Sequence, residues 1–252
     1  MQRSSGRDTC LRVAFVLAVL LAGSANGSGL TEQVRTYAMT VELEDQVLDI
    51  VSRTTWTKVE EEGQDAWRVM IEYESADLPT SVDTIYLARD DLRPLRRYIS
   101  RGNQRTRLRY TEDAVRGTVW LEDGTEAAMD VALDAPIVGD VATAIAALPL
   151  APNYSTTLNA FEPTLGTLRR WRILVSGITE TIDTPAGPVE TYPVEVDDAV
   201  ARGKGALYWV TTESPHHVVK SESTLPPEHG GGTEVRILTS VSGRPAADPG
   251  GR

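Results

Sequence analysis

Alternation with a period of two is the feature that most constrains this chain. Between Tyr37 and Leu43 the large apolar side chains fall at Tyr37, Met39, Val41 and Leu43, with Ala38, Thr40 and Glu42 between them, and Trp67, Val69, Ile71 and Tyr73 repeat the pattern. Successive side chains of a strand point to opposite faces, so this spacing describes strands with one face buried and one wetted. The stretches between them carry turn chemistry. Val47 to Val59 is extended, and Glu60-Glu61-Glu62-Gly63 turns it back into the Trp67 strand. Ile85 and Leu87 form a shorter strand, and Asp123-Gly124 joins Val115–Leu121 to a strand carrying Ala127, Met129, Val131 and Leu133.

The pattern changes once. Asp140 is placed as an N-cap, and Val141, Ala144, Ile145 and Leu148 share one helical face before Pro149 ends the run. From Leu150 to Leu165, Pro152 and Pro163 among scattered aromatics read as a packed crossover. Alternation resumes at Trp171, Ile173 and Val175, turns at Thr184-Pro185-Ala186-Gly187, and continues through Tyr192–Val196, Leu207–Thr212, Val218–Ser223 and Val235–Val241. About a dozen strands and one short helix predict a mainly β fold, a strongly curved antiparallel sheet or half-open barrel. No twenty- to fifty-residue repeat supports a propeller or solenoid.

The densest charge lies between Arg93 and Arg109, where seven of seventeen residues are arginine in a protein of formal charge −11. Gly102-Asn103 divides the stretch into a hairpin. A two-residue turn there pairs Arg96 with Arg109, Tyr98 with Arg107 and Ser100 with Arg105, leaving Leu95, Ile99, Leu108 and Tyr110 on the other face. Arg96, Arg105, Arg107 and Arg109 then share one surface, a candidate contact for a carboxylate, a phosphate or an acidic partner. Like charges opposed across strands repel, so nearby acids such as Glu72, Glu74 and Glu122 are expected to balance them.

The amino-terminal region has Arg3, Arg7 and Arg12, an apolar run from Val13 to Ala22, and small residues through Gly27, the pattern of a secretory signal peptide over residues 1–27. Its apolar run is about ten residues, short of the roughly twenty that a membrane span needs. Removing it, with three arginines against Asp8, takes the formal charge from −11 to −13. That surface disfavours nucleic acid. The single cysteine, Cys10, falls inside this segment, so no disulfide is expected in the remainder. One β-rich domain over residues 30–241 and a disordered tail over 242–252 complete the expected organisation. Twenty-two arginines against Lys58, Lys204 and Lys220 fit a GC-rich bacterial coding style, and hence a periplasmic or secreted protein.

No catalytic signature stands out. Gly203-Lys204-Gly205 lacks the spacing and following helix of a phosphate loop, no nucleophile elbow or His-Glu-x-x-His pair occurs, and His216, His217 and His229 read as exposed loop residues. No metal or cofactor is expected. Paired acids such as Asp90-Asp91 and Asp197-Asp198 sit at turns, where a soluble meander needs them. The tryptophans, Trp56, Trp67, Trp120, Trp171 and Trp209, are read as core.

Thr184-Pro185-Ala186-Gly187, Ala206-Leu207-Tyr208-Trp209-Val210 and Val218-Val219-Lys220-Ser221-Glu222, with Ile85-Tyr86-Leu87 and Asp91-Leu92-Arg93-Pro94-Leu95 before them, resemble a bacterial exported family, domain of unknown function 3108. The resemblance implies a fold related to the half-barrels of periplasmic lipoprotein carriers, whose sheet wraps an apolar cavity closed by short helices. Val141, Ile145 and Leu148 would then belong to a lid. It implies no catalytic residues. The expectation is a non-enzymatic domain that binds a lipid, an acyl chain or an envelope protein. The alternatives are an assembly protein acting through its surface or sheet edge, and a hydrolase built from distant carboxylates.

Overall fold

The computed structural model of the chain describes residues 30–200, 205–225 and 231–243. The expected signal peptide, His229, Lys204 and the tail beyond Gly243 lie outside these residues. The first half is a meander in which each alternating segment becomes a strand: β1 (Gln33–Glu42), β2 (Val47–Glu61), β3 (Gln64–Glu74), β4 (Ser81–Ala88), β5 (Pro94–Arg101), β6 (Gln104–Tyr110), β7 (Ala114–Trp120) and β8 (Glu126–Ala132). The helix α1 (Val141–Ile145) follows. The second half contains β9 (Ser155–Glu162), β10 (Thr167–Val175), β11 (Glu180–Thr184), β12 (Gly187–Asp198), β13 (Gly205–Thr211), β14 (Val218–Thr224) and β15 (Thr233–Gly243). The stretch expected as a crossover therefore holds a strand, β9, whose Thr156, Leu158 and Ala160 take the inward phase.

All fifteen strands form one antiparallel sheet, ordered β8-β7-β6-β5-β4-β3-β2-β1-β15-β14-β13-β12-β10-β9, with β11 on β12. The fold is a curved open sheet rather than a closed barrel. Its two end strands, β8 and β9, are not hydrogen-bonded to each other, and side chains bring the ends together instead. Tyr110 meets Phe161 edge to face with ring centroids 6.5 Å apart, and Leu108, Val115, Met129 and Leu168 pack around them. After β8 the chain crosses this seam, where the Val138 N–H donates to the Asn159 carbonyl over 2.8 Å.

Helix α1 starts as the sequence dictates, with the Asp140 carboxylate accepting the Thr143 N–H over 2.8 Å. Its apolar stripe reaches both halves of the sheet. Ile145 and Leu148 pack against Ile173, Val194, Val196 and Val210, while Ala147 meets the group of Trp56, Trp67, Val69, Ile85 and Leu87. The helix thus fills one end of the concave side. Trp56 and Trp67 cross edge to face, 5.9 Å between centroids, under that end. Trp209 is also buried, but Trp120 and Trp171 are only half-buried, so not every tryptophan is core.

Ile145 is fully enclosed. Ile145→Ala removes its contacts with the second half of the sheet and should cost about 2–5 kcal/mol. Urea unfolding with an unchanged slope measures it, and a loss under about 1 kcal/mol would contradict a plugging role.

Candidate functional site

Register defines the concave face. One row runs Arg35, Thr54, Ile71, Asp83, Ile99 across β1 to β5. A second runs Met39, Arg236, Ser221, Tyr208, Val194 across β1, β15, β14, β13 and β12. Because the sheet curls, Tyr73 on β3 comes near enough to Tyr208 on β13 to raise its pKa, and both also feel Asp140 at the start of α1. The interior above the helix is therefore lined by Tyr73, Asp83, Arg97, Tyr110, Asp140, Tyr208, Glu234 and Arg236. Burial pushes the Tyr208 hydroxyl up to about 12, yet Tyr208, Tyr73, Ile71, Ile99 and Arg236 are only half-buried. These side chains lie on the inner face yet keep part of their surface open.

The floor of this interior is an ion pair. Arg97 donates from Nε to Asp83 Oδ1 at 2.9 Å and from Nη2 to Oδ2 at 2.5 Å, and its Nη1 reaches the Gly139 carbonyl at 3.3 Å. Their side chains are 13% and 15% exposed. Burial works against the Arg97 charge, but the hydrogen bonds and charge of Asp83 more than offset it and hold the guanidinium protonated. Desolvation pushes the neighbouring Tyr110 hydroxyl up to about 12, and that oxygen is buried with no hydrogen-bond partner.

On the β1 side two further arginines converge on Thr54. Arg35, 5% exposed, lies directly opposite it in register and donates from Nε to Gln33 Oε1 at 3.2 Å; its Nη2 is buried without a partner. Arg236 donates from Nη2 to Thr54 Oγ1 at 3.4 Å, lies 3.9 Å over the Tyr37 ring, and leaves its Nε unpartnered. Burial, reinforced by the positive charge of Arg236, lowers the Arg35 pKa despite the Tyr37 hydroxyl beside it. Glu234, also desolvated, has its carboxyl raised.

The arginines singled out by the sequence lie on the opposite, convex face. Their hairpin register is the expected one, with Arg96 opposite Arg109, Tyr98 opposite Arg107 and Ser100 opposite Arg105. Their counterions differ from those expected. Glu61 and Glu62 pair with Arg96, Glu62 also pairs with Arg109 at 3.1 Å, and Asp130 takes the adjoining Arg116 at 3.2 Å. Arg107 lies 5.4 Å over the Trp120 ring, and Arg105 donates to the Gly102 and Gln104 carbonyls. Glu62 can bridge two strands because it sits in the β2–β3 turn with φ of 53°, followed by Gly63 at 80°. Val141 packs at the edge of the helix cluster, and Ile145 and Leu148 are buried in it.

The histidines depart from the exposed-loop reading. His216 is 6% exposed with Nδ1 2.8 Å from the Thr211 carbonyl, and His217 is half-buried with Arg35 nearby. Among the described residues no group of histidines and carboxylates converges as a metal site, and no helix is long and apolar enough to cross a membrane.

The interior set was legible only as a violation of phase. Arg97 stands between Leu95 and Ile99, Asp83 two residues before Ile85, and Arg35 two before Tyr37, each a charge at an apolar position.

Comparison with known proteins gives a family and a fold. The model of a family described as protein of unknown function (DUF3108) matches residues 36–230. Among solved structures, a beta-barrel-like protein of domain of unknown function DUF1849 from Brucella abortus superposes with a TM-score of 0.51 at 10% identity, covering 84% of this chain and 97% of that one. A DUF1329 family protein from Desulfovibrio piger gives 0.32 at 12% identity, with 85% and 86% covered. A search of curated proteins finds no match.

Two outcomes follow from the interior charges. Arg97→Met strands Asp83 and should cost about 3–5 kcal/mol, whereas Arg97→Met with Asp83→Leu should recover most of it; chemical denaturation of the three proteins measures the difference, and equal losses would refute the pairing. Burial, aided by Arg35, lowers His217 to about 4 from its usual 6.5. The unfolded chain therefore binds the extra proton first, and stability should fall as pH drops from about 6.5 to 4. Glu234 acts with the opposite sign in parent and variant alike, so the parent minus His217→Gln difference isolates the histidine; a flat difference across that window would contradict it.

Proposed function

Because the chain belongs to the DUF3108 family, whose description carries no activity, we propose its role from its geometry: an exported, non-enzymatic binding protein that holds an amphipathic small molecule, a lipid or acyl chain, inside the curl of its sheet. The observation that carries this reading is the half-burial of Ile71, Tyr73, Ile99, Tyr208 and Arg236 on the inner face. A solid core would enclose them as completely as it does Val69, Val194 and Val210. Toward the end opposite α1 the lining turns apolar. Met39, Val41, Leu48 and Ile50 cluster there with Leu43, Tyr73, Leu78 and Leu225, an apolar setting that suits a hydrocarbon chain. The expected signal sequence supports a periplasmic or secreted setting. A second reading has its own support: the end strand β8 is unpaired on one side and largely exposed, so an envelope partner could add a strand to it.

Native mass spectrometry of protein purified without organic extraction should show a mass excess that delipidation removes, and the delipidated protein should bind a fluorescent fatty-acid analogue. No excess mass and no binding would contradict the proposal. Arg105→Gln with Arg107→Gln, on the convex face, should leave that affinity within about twofold; a salt-dependent loss of tenfold or more would move the ligand to the outer surface.

A further inference from the structure

The inner face carries both paired and unpaired arginines. Arg97 has Asp83. Among the described residues, Arg169 on β10 shares the inward phase and is paired with Asp198 at 3.3 Å. Arg35 and Arg236 make no ion pair among the described residues, although Arg236 lies close enough to disfavour the charge on Arg35. Glu234, two residues from Arg236 on the same strand, does not come within ion-pairing distance of it. An unpaired guanidinium removed from water loses several hydrogen bonds that nothing replaces, and two side by side add repulsion. Around Arg236 stand hydroxyls: Thr54, which accepts from it; Ser221, its register neighbour; and Tyr208 on β13, next to Ser221. Ser52, whose oxygen is buried with no partner, lies opposite Tyr37, the ring that Arg236 covers. Arg35 Nη2, Arg236 Nε and Gln33 Nε2 are buried donors without a partner, on side chains that neighbour one another through the Arg35–Gln33 bond and the Arg35–Thr54–Arg236 register. This set is what an oxyanion requires, since guanidinium forks and hydroxyls donate and an oxyanion accepts.

We infer that the Arg35–Arg236 pair seats the anionic head of an amphiphile, a carboxylate or phosphate carried on an aliphatic chain, with the head inward and the chain running out past the Met39–Val41–Leu48–Ile50 cluster. The inference rests on the ligand recess proposed above and names the chemistry it selects. The head brings the missing acceptors to two guanidinium groups, and the chain adds apolar contact along that cluster. Uncharged lipids of the same length satisfy only the second requirement.

Isothermal titration of the delipidated protein with dodecanoate, dodecyl phosphate, dodecanol and inorganic phosphate tests it. At least one charged alkyl probe should bind about tenfold or more tighter than dodecanol, and Arg236→Gln should reduce that probe to the dodecanol level while leaving dodecanol unchanged. The better of the two charged probes tells carboxylate from phosphate. Dodecanol binding as tightly as both would overturn the anionic seat and leave the recess standing. Inorganic phosphate binding as tightly as dodecyl phosphate would overturn the amphiphile. Failure of every alkyl probe would sink the recess reading itself. Thermal melting of the ligand-free variants gives an independent readout. With their charges unpaired, Arg236→Gln and Arg35→Met should melt at or above the parent temperature, and a drop of more than a few degrees in both would mean the guanidinium groups are already satisfied.

Discussion

A sheet that curls most of the way round on itself must fill the space its own curvature creates. Here no backbone ladder closes the circle, because β8 and β9 do not pair, so the curl is held by what lies inside it. At one end α1 and the residues after it meet both halves of the sheet. At the seam, Tyr110 and Phe161 join strands from the two halves. In the middle the Arg97–Asp83 pair ties β5 to β4, and Arg97 also reaches Gly139 beside the helix cap. The remaining inner face carries Ile71, Tyr73, Ile99, Tyr208 and Arg236 only half-buried, which separates the protein from an ordinary β core.

Much of this was readable in the residues. The alternation in β1 and β3, the Asp140 cap and the Arg96–Arg109 register came through because each rests on local rules: side-chain period, turn chemistry and capping. The strand β9 was hidden by Pro152 and Pro163, which lie just outside its ends. The counterions of the convex arginines were misassigned to Glu72, Glu74 and Glu122. The true partners, Glu61 and Glu62, come from the β2–β3 turn, two strands removed along the sheet, and nothing local reveals that proximity. His216 and His217 read as surface because a Pro-His-His turn normally is one; only the fold buries His216 against the Thr211 carbonyl and brings His217 near Arg35.

The two faces of the sheet use the same residue type in opposite ways. On the convex side, arginines in the Arg96, Arg109 and Arg116 row are neutralised by neighbouring acids in high dielectric, where pairs contribute little and cost little. On the concave side Arg35, buried, and Arg236, half-buried, stand without such partners, where the cost is larger. A protein that keeps two unpaired guanidinium groups inside gives up stability for something, and the compensating partner is best sought outside the chain.

The central claim is that the inner face of the curl encloses a ligand rather than a filled core. A high-resolution crystal structure of protein purified without organic extraction tests it most directly. Continuous non-protein density between Tyr73 and Tyr208, ending within hydrogen-bonding distance of Arg236, is the predicted result. Tyr73, Ile99 and Tyr208 packed against one another with no space between them, and Arg236 paired to a protein carboxylate, would contradict it.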